Sequence, residues 1–444
     1  MQTQWTSEQV LALAPDAASA KNGRGLASVH KWVSLGTTPA AVWGECQGSG
    51  KNPYRTQIDL SEPAFRCSCP SRKFPCKHGL GLFLLLAEQP QGFTQQEPPD
   101  WVAEWLASRT QRDQKQAQKQ VEQKEQGADP QAQAKRTAAR QQKISAGLQE
   151  LRLWLEDRVW QGLATLPQES YPFWDGMAAR MVDAQAPGLA RRLRDLAGAV
   201  HSGPSWCDMT LAGMGQLYLV LEGYERLEAL PLQVQADLRM QIGWPVSQEE
   251  VLAGKAHADL WLVLGQRTLL EDRLRVRRTW LYGLGRSTSA LLLDFAYGQQ
   301  PFEQTLLPGT CLEAELVFYP SAYPLRALVK TRQEAVPLSK APPGHGEIKD
   351  AIASYSQAFT ACPWIEQFPL LLQSVVPLCD GERWLLQDAQ GVVLPLAKGM
   401  DSQQRWQLLA LSGGHPLTLL GEWDGAGLLP LSVWVEETFY GLAS

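Results

Sequence analysis

The first 90 residues carry two runs of partly alternating apolar and polar positions, Val33 to Trp43 and Tyr54 to Leu60. A period of two predicts strands, and Gln47-Gly48-Ser49-Gly50-Lys51-Asn52-Pro53 between them predicts the reversal, which Gly and Asn-Pro supply. Gly79 to Ala87 is then an unbroken apolar run and predicts a short buried helix.

From 91 to 146 the pattern dissolves. Gln and Lys dominate Gln111 to Lys143, prolines interrupt at Pro98, Pro99 and Pro130, and apolar residues nearly vanish. Such a stretch buries too little surface to offset its ordering entropy, which predicts a linker with at most transient helix. The exception is Asp100 to Leu106, where Trp101 and Trp105 mark a helical turn and a half able to dock elsewhere.

Residues 147–253 take up helical spacing. Leu148, Leu151, Leu155, Val159 and Leu163 step by three and four. A second stripe runs from Trp174 through Met177 and Met181, meets Pro187, and continues through Leu189, Leu193 and Leu196; proline there either kinks the helix or starts a new one. A third helix is expected from Met209 to Leu230. From 254 to 335 the pattern changes to short runs parted by Gly or Pro: Leu260 to Leu264, Leu274 to Trp280, Ala290 to Phe295 and Leu312 to Phe318. That is the spacing of an antiparallel sheet or barrel. Residues 336–444 start irregularly and then repeat the style at Trp384 to Leu386, Gly391 to Leu394, Trp406 to Leu411, Leu417 to Trp423 and Leu428 to Trp434.

Composition adds a compartment and a charge asymmetry. A chain of 444 residues, 44% hydrophobic and 20% charged, has the balance of a soluble globular protein of several domains. Its start lacks the basic and apolar runs of a leader, and Leu80 to Ala87 is too short to cross a bilayer, so a cytoplasmic protein without a membrane partner is expected. The net charge of −5 divides into +6 on residues 21–80, +5 on 109–146 and −16 on the remainder. Of the 8 Cys, Cys46, Cys207, Cys311, Cys362 and Cys379 stand apart, which argues for a reducing compartment and against a disulfide framework.

The other three cysteines crowd together. Phe65-Arg66-Cys67-Ser68-Cys69 is followed, after the six-residue loop Pro70 to Pro75, by Cys76-Lys77-His78-Gly79. Given 8 Cys and 6 His, such a spacing arises by chance with a probability of roughly 4 × 10⁻⁴. Zinc takes four soft or borderline ligands at tetrahedral corners, and three thiolates with one imidazole make a closed structural set. Cys67 and Cys69, two apart on a strand, are expected to face the same way, with Cys76 and His78 arriving from the first turn of the following helix. One structural Zn²⁺ held by Cys67, Cys69, Cys76 and His78 is therefore expected. The fold class is α+β multidomain: a small N-terminal zinc-binding ββα-like module, a helical middle region and an antiparallel β-rich C-terminal half.

Cys-x-Cys and Cys-x-His after a hairpin and before a Gly-starting apolar helix resemble a SWIM-type zinc finger, over Val33 to Leu86. Pro53-Tyr54, Phe74-Pro75 and Lys77 agree as well. Trp154 to Asp157 and Met177 to Ala190 resemble the bacterial SWIM-finger family. That resemblance implies a finger that binds DNA or protein, and an association with MoxR-like AAA+ ATPases.

The residues leave two uses open. Lys51, Arg55, Arg66, Arg72, Lys73 and Lys77 surround the ligands and suit phosphates, whose neutralisation gives salt-dependent affinity. A module tethered through a flexible linker suits a protein-interaction adaptor equally. Catalysis is not expected: the chain lacks Gly-x-Ser-x-Gly and His-Glu-x-x-His, and Gly44 to Asn52 fails the phosphate-loop spacing. Arg180 and Asp183 read as an intrahelical ion pair, and Arg191, Arg192 and Arg194 as a solvated helix face.

Overall fold

The computed structural model describes all residues except 1–5, 12, 16, 48–51, 61–63, 72, 110–129, 204, 245, 272–273, 299, 301, 303–305, 339, 382 and 443–444. Two short helices, α1 (Ser7–Leu11) and α2 (Ala17–Arg24), precede the first sheet. Its strands are β1 (Trp32–Thr37), β2 (Ala41–Cys46), β3 (Tyr54–Asp59), β4 (Ala64–Cys67) and β5 (Thr94–Gln95), in the order β4-β3-β2-β1-β5. The run read as one strand from Val33 to Trp43 is in fact a hairpin. Pro39 cannot donate to a ladder, and Thr38 closes the turn by bonding to Ala41 through both its amide and its hydroxyl.

Each face of this sheet is covered. On one side lies α3 (Lys77–Glu88), apolar nearly all round and therefore buried; Leu82, Phe83 and Leu85 pack with Val42 and Ile58. On the other side lies α4, helical over residues 100–109, whose Val102 is buried with Ala41 and Trp43. Val42 and Trp43 thus serve opposite layers, as alternation along a strand requires. Arg109 pairs with Asp59 at 3.0 Å and holds the far end of α4.

The stretch read as a linker is thus structured at both ends. Beyond α4, helix α5 (Pro130–Gln161) starts inside it and runs unbroken into the helical region. Ile144 is fully buried and anchors that part of α5, whereas Val159, placed in the apolar stripe, is exposed. Then follow α6 (Tyr171–Asp183), α7 (Pro187–Ala199), α8 (Trp206–Glu225), α9 (Leu232–Ile242) and α10 (Gln248–Leu252). Pro187 starts a new helix at its first turn, where a missing N–H costs nothing. Leu151, Met181, Leu193, Leu217 and Leu238 meet in one core. Arg180 reaches Glu150 on α5 rather than Asp183. Arg191 and Arg192 are not a purely solvated face either: both bond Glu366, at 3.0 and 3.4 Å, and tie α7 to the C-terminal half.

Two antiparallel sheets make up the C-terminal half. The first orders β10-β9-β6-β7-β8, from β6 (Ala256–Glu271), β7 (Leu274–Gly283), β8 (Thr288–Tyr297), β9 (Thr310–Phe318) and β10 (Ala327–Arg332). A short strand, β11 (Val336–Pro337), pairs with β9. The second orders β14-β13-β12-β15-β16-β17, from β12 (Phe368–Asp380), β13 (Arg383–Gln387), β14 (Val393–Pro395), β15 (Leu417–Trp423), β16 (Leu428–Val435) and β17 (Thr438–Gly441). The sheets share a core in which Leu264 and Trp280 meet Leu420 and Trp434. Buried there, Glu422 accepts hydrogen bonds from Arg278 and Trp280, both at 2.8 Å.

Two helices in this half escaped the pattern. The run from Trp406 to Leu411 lies in α12 (Ser402–Ser412), which begins with an Asp401/Gln404 capping box and ends on left-handed Gly413. Within the stretch read as irregular lies α11 (Ile348–Ala361), in which Ile348, Ile352, Tyr355 and Phe359 recur at steps of four and three among Ala, Ser and polar residues, and Ile348, Ala351 and Ala358 are buried. Among the described residues, no helix is long and apolar enough to cross a membrane.

Candidate metal centre

Three pieces of chain bring the four ligands together. Cys67 ends β4, Cys69 lies in the bend after it, Cys76 caps α3 and His78 sits in its first turn. The idea that Cys67 and Cys69 share one strand face is corrected here. Pro70 disfavours continued pairing, the strand stops at Cys67, and a bend rather than a pleat delivers the Cys69 sulfur.

The four ligand atoms all lie within 4.8 Å of one another. His78 Nδ1 is 3.7 Å from Cys67 Sγ and 4.0 Å from Cys76 Sγ. Zn–S bonds near 2.3 Å and Zn–N bonds near 2.0 Å place tetrahedral ligand atoms about 3.5–3.8 Å apart. The cluster already has close to that size, and Cys67, Cys69, Cys76 and His78 are positioned to bind one zinc ion. With four protein ligands, a bound zinc would tie the chain together and would have no need of a water ligand.

A surrounding layer of hydrogen-bonding and aromatic groups contacts the ligands. Thr56, opposite Cys67 in the β3–β4 register, places its hydroxyl 3.2 Å from that sulfur. The Gly79 amide donates to Cys76 Sγ at 3.5 Å, at the end of α3 where the helix dipole favours a thiolate. Tyr54 lies with its ring 4.9 Å from that of His78. Beneath the cluster Phe65 packs edge-on against Phe74 and Phe83, and a Cβ on Gly79 would come to 3.0 Å from its ring. Sequence reasoning missed Thr56, since its role depends on strand register.

The sulfurs titrate together. Hydrogen bonds from Cys67 and Cys76 hold the Cys69 thiol far below its ordinary range. Contact with Cys69, then with Cys76, and burial push Cys67 far above it. Crowded thiolates repel one another, and a cation among them would favour the charged form of all three.

A family model for the SWIM zinc finger matches residues 54–87, from β3 through α3, and spans all four ligands. The N-terminal module carries a SWIM zinc finger. A second family model, a SWIM-associated four-helix bundle domain, matches residues 139–242, from within α5 to the end of α9. Both matches are consistent with a SWIM-type zinc finger protein. No curated protein and no solved structure matches it.

Of the cations expected around the SWIM finger, Arg66, Lys73 and Lys77 are exposed near the ligands. Arg55 is engaged: its Nε lies 3.3 Å from Glu45, and its guanidinium stands 5.7 Å from the Trp101 ring of α4. Lys51 and Arg72 lie outside the described residues. The SWIM module is also joined to the C-terminal half. Gln9 donates to the Gly309 carbonyl at 2.8 Å in a buried contact, and Leu307 enters the core of the module.

Proposed function

We propose that this chain is a protein-interaction adaptor or accessory factor built around a zinc-closed SWIM finger, and that it is not an enzyme. One observation carries the choice of adaptor over nucleic-acid reader: the finger is walled into a scaffold. Helices α3 and α4 cover its sheet, and Gln9 and Leu307 fasten it to the C-terminal half. A phosphate reader wants cations free along a track, and Arg55 is already engaged with Glu45 and Trp101. The −16 carried outside the two basic stretches opposes a polyanion as well. The resemblance makes a MoxR-like AAA+ ATPase the first partner to try.

A pull-down with the zinc-loaded full chain is expected to retain a MoxR-like ATPase or another protein partner and to lose it with Cys67→Ala. Titration against a mixed-sequence DNA duplex at about 50 and about 200 mM salt supplies the opposing test. Tight binding that falls steeply with salt and vanishes in Cys67→Ala would replace the adaptor by a nucleic-acid binder.

A further inference from the structure

Between the SWIM module and the first C-terminal sheet lies a cleft of about 330 Å³. Leu13, Pro15 and Phe74 form one wall, and Leu270 and Phe302 face it from the other side. Four cations border this space: Lys73 from the ligand loop, Arg267 from β6, and Arg275 and Arg277 from β7. None of the described lining residues is acidic.

The charges there are only partly matched. Arg277, buried, holds Asp294 at 3.1 Å, and Arg267 reaches Glu422 at 3.5 Å, a carboxylate it shares with Arg278. Arg275 has no carboxylate partner among the described residues. Its guanidinium donates to the Gln300 carbonyl and stands 5.0 Å from the Phe302 ring, and its buried Nε has no hydrogen-bond partner. A half-buried guanidinium with an unsatisfied donor is costly, and an anion seated beside it would remove the cost.

We propose that this cleft binds an acidic segment of a partner protein, with a carboxylate at Arg275 and an apolar side chain between Phe74 and Leu270. The cations converge on one pocket that also presents Leu13, Phe74, Leu270 and Phe302, with Gln266 and Thr268 as its uncharged polar side chains, which fits a mixed acidic and apolar peptide better than a run of evenly spaced phosphates. The proposal rests on the adaptor reading and locates where the partner sits.

The test is a fluorescence-anisotropy titration of the zinc-loaded full chain with a labelled octapeptide of alternating Glu and Leu at low salt. Binding is expected to weaken about tenfold in Arg275→Glu and in Lys73→Glu, and to be unchanged in Arg66→Glu. A Lys/Leu octapeptide should not bind. No binding of the Glu/Leu peptide, or equal binding by the wild type and both cleft variants, would overturn the proposal. So would oligothymidylate binding in its place with the same sensitivity to Arg275 and Lys73. Lys73 is exposed, so its variant remains informative if Arg275→Glu fails to fold. A partner protein whose capture survives both reversals overturns the cleft and leaves the adaptor reading standing.

Discussion

The SWIM module and the helical bundle reach order by different routes. In the bundle, five helices bring Leu151, Met181, Leu193, Leu217 and Leu238 into one core, and apolar burial suffices. The module has such cores on both faces of its sheet, where Ile58, Phe83 and Leu84 are buried under α3 and Trp43 meets Val102 under α4. Its ligand loop differs: among the described residues from 68 to 75, none is buried. Hydrophobic burial therefore cannot fix that loop, and metal ligation is what remains. The lesson is that zinc is needed for the loop and the start of α3 more than for the sheet, which has its own core and its bond to Gly309.

The largest expected effect follows from this contrast. Cys67→Ala, or a strong chelator, should take bound zinc from one per chain to none in native mass spectrometry. Apparent binding energies of structural zinc sites are on the order of 10 kcal/mol, beyond any single side-chain contact in the bundle. Acid should act in the same direction, because the thiols must lose protons to bind, so zinc release should increase as pH falls. Retention of zinc by the variant would break the comparison at its root.

Next in size is a third route to order, a buried charge cluster in the β half. Glu422→Ala would leave Arg267 and Arg278 without their shared carboxylate and should cost about 3–5 kcal/mol in urea unfolding. The SWIM module's apolar core can be probed apart from its metal through Gly81. A Cβ there would come to 2.6 Å from Leu26 Cβ on the chain just after α2. Gly81→Ala should cost about 1–3 kcal/mol in thermal or urea unfolding with zinc stoichiometry unchanged.

Asp237 probes the seam between bundle and β half. Burial raises its carboxyl pKa, while its Oδ2 accepts the Ala322 amide at 2.9 Å. A carboxyl with a raised folded pKa takes up a proton on folding. Its contribution is most favourable below the unfolded value and is lost as pH rises through the folded one. Asp237→Asn should therefore gain on the wild type as pH rises above the unfolded carboxyl value of about 4, read as the difference in melting temperature. The smallest effect belongs to Arg180→Ala, an exposed pair with Glu150, expected at about 0.5 kcal/mol or less in urea unfolding.

How much was legible in the sequence depended on how local the signal was. The ligand set was readable because four scarce residues fall within twelve positions. The helices of the bundle were readable because Leu and Met recur at three and four. Other features depended on partners far along the chain. The N-terminal part of α5 reads as linker because its polar composition hides Ile144, whose burial only the folded chain supplies, whereas Trp101 and Trp105 already mark the docking turn that becomes α4. A short apolar run such as Trp406 to Leu411 has no periodicity of its own to separate helix from strand; the Asp401/Gln404 box and Gly413 were the available signs. Thr56 beside Cys67, and Glu366 beside Arg191 and Arg192, are matters of register and tertiary contact, which spacing does not encode.

The most direct test of the central claim, that zinc locally closes a finger built into the scaffold, is hydrogen–deuterium exchange on the full chain with and without a chelator. The account predicts faster exchange over the ligand loop and the start of α3, a smaller rise near Gly309 through the Gln9 contact, and no change across residues 139–242. Unchanged exchange in the loop, or cooperative loss of protection across the whole chain, would contradict it.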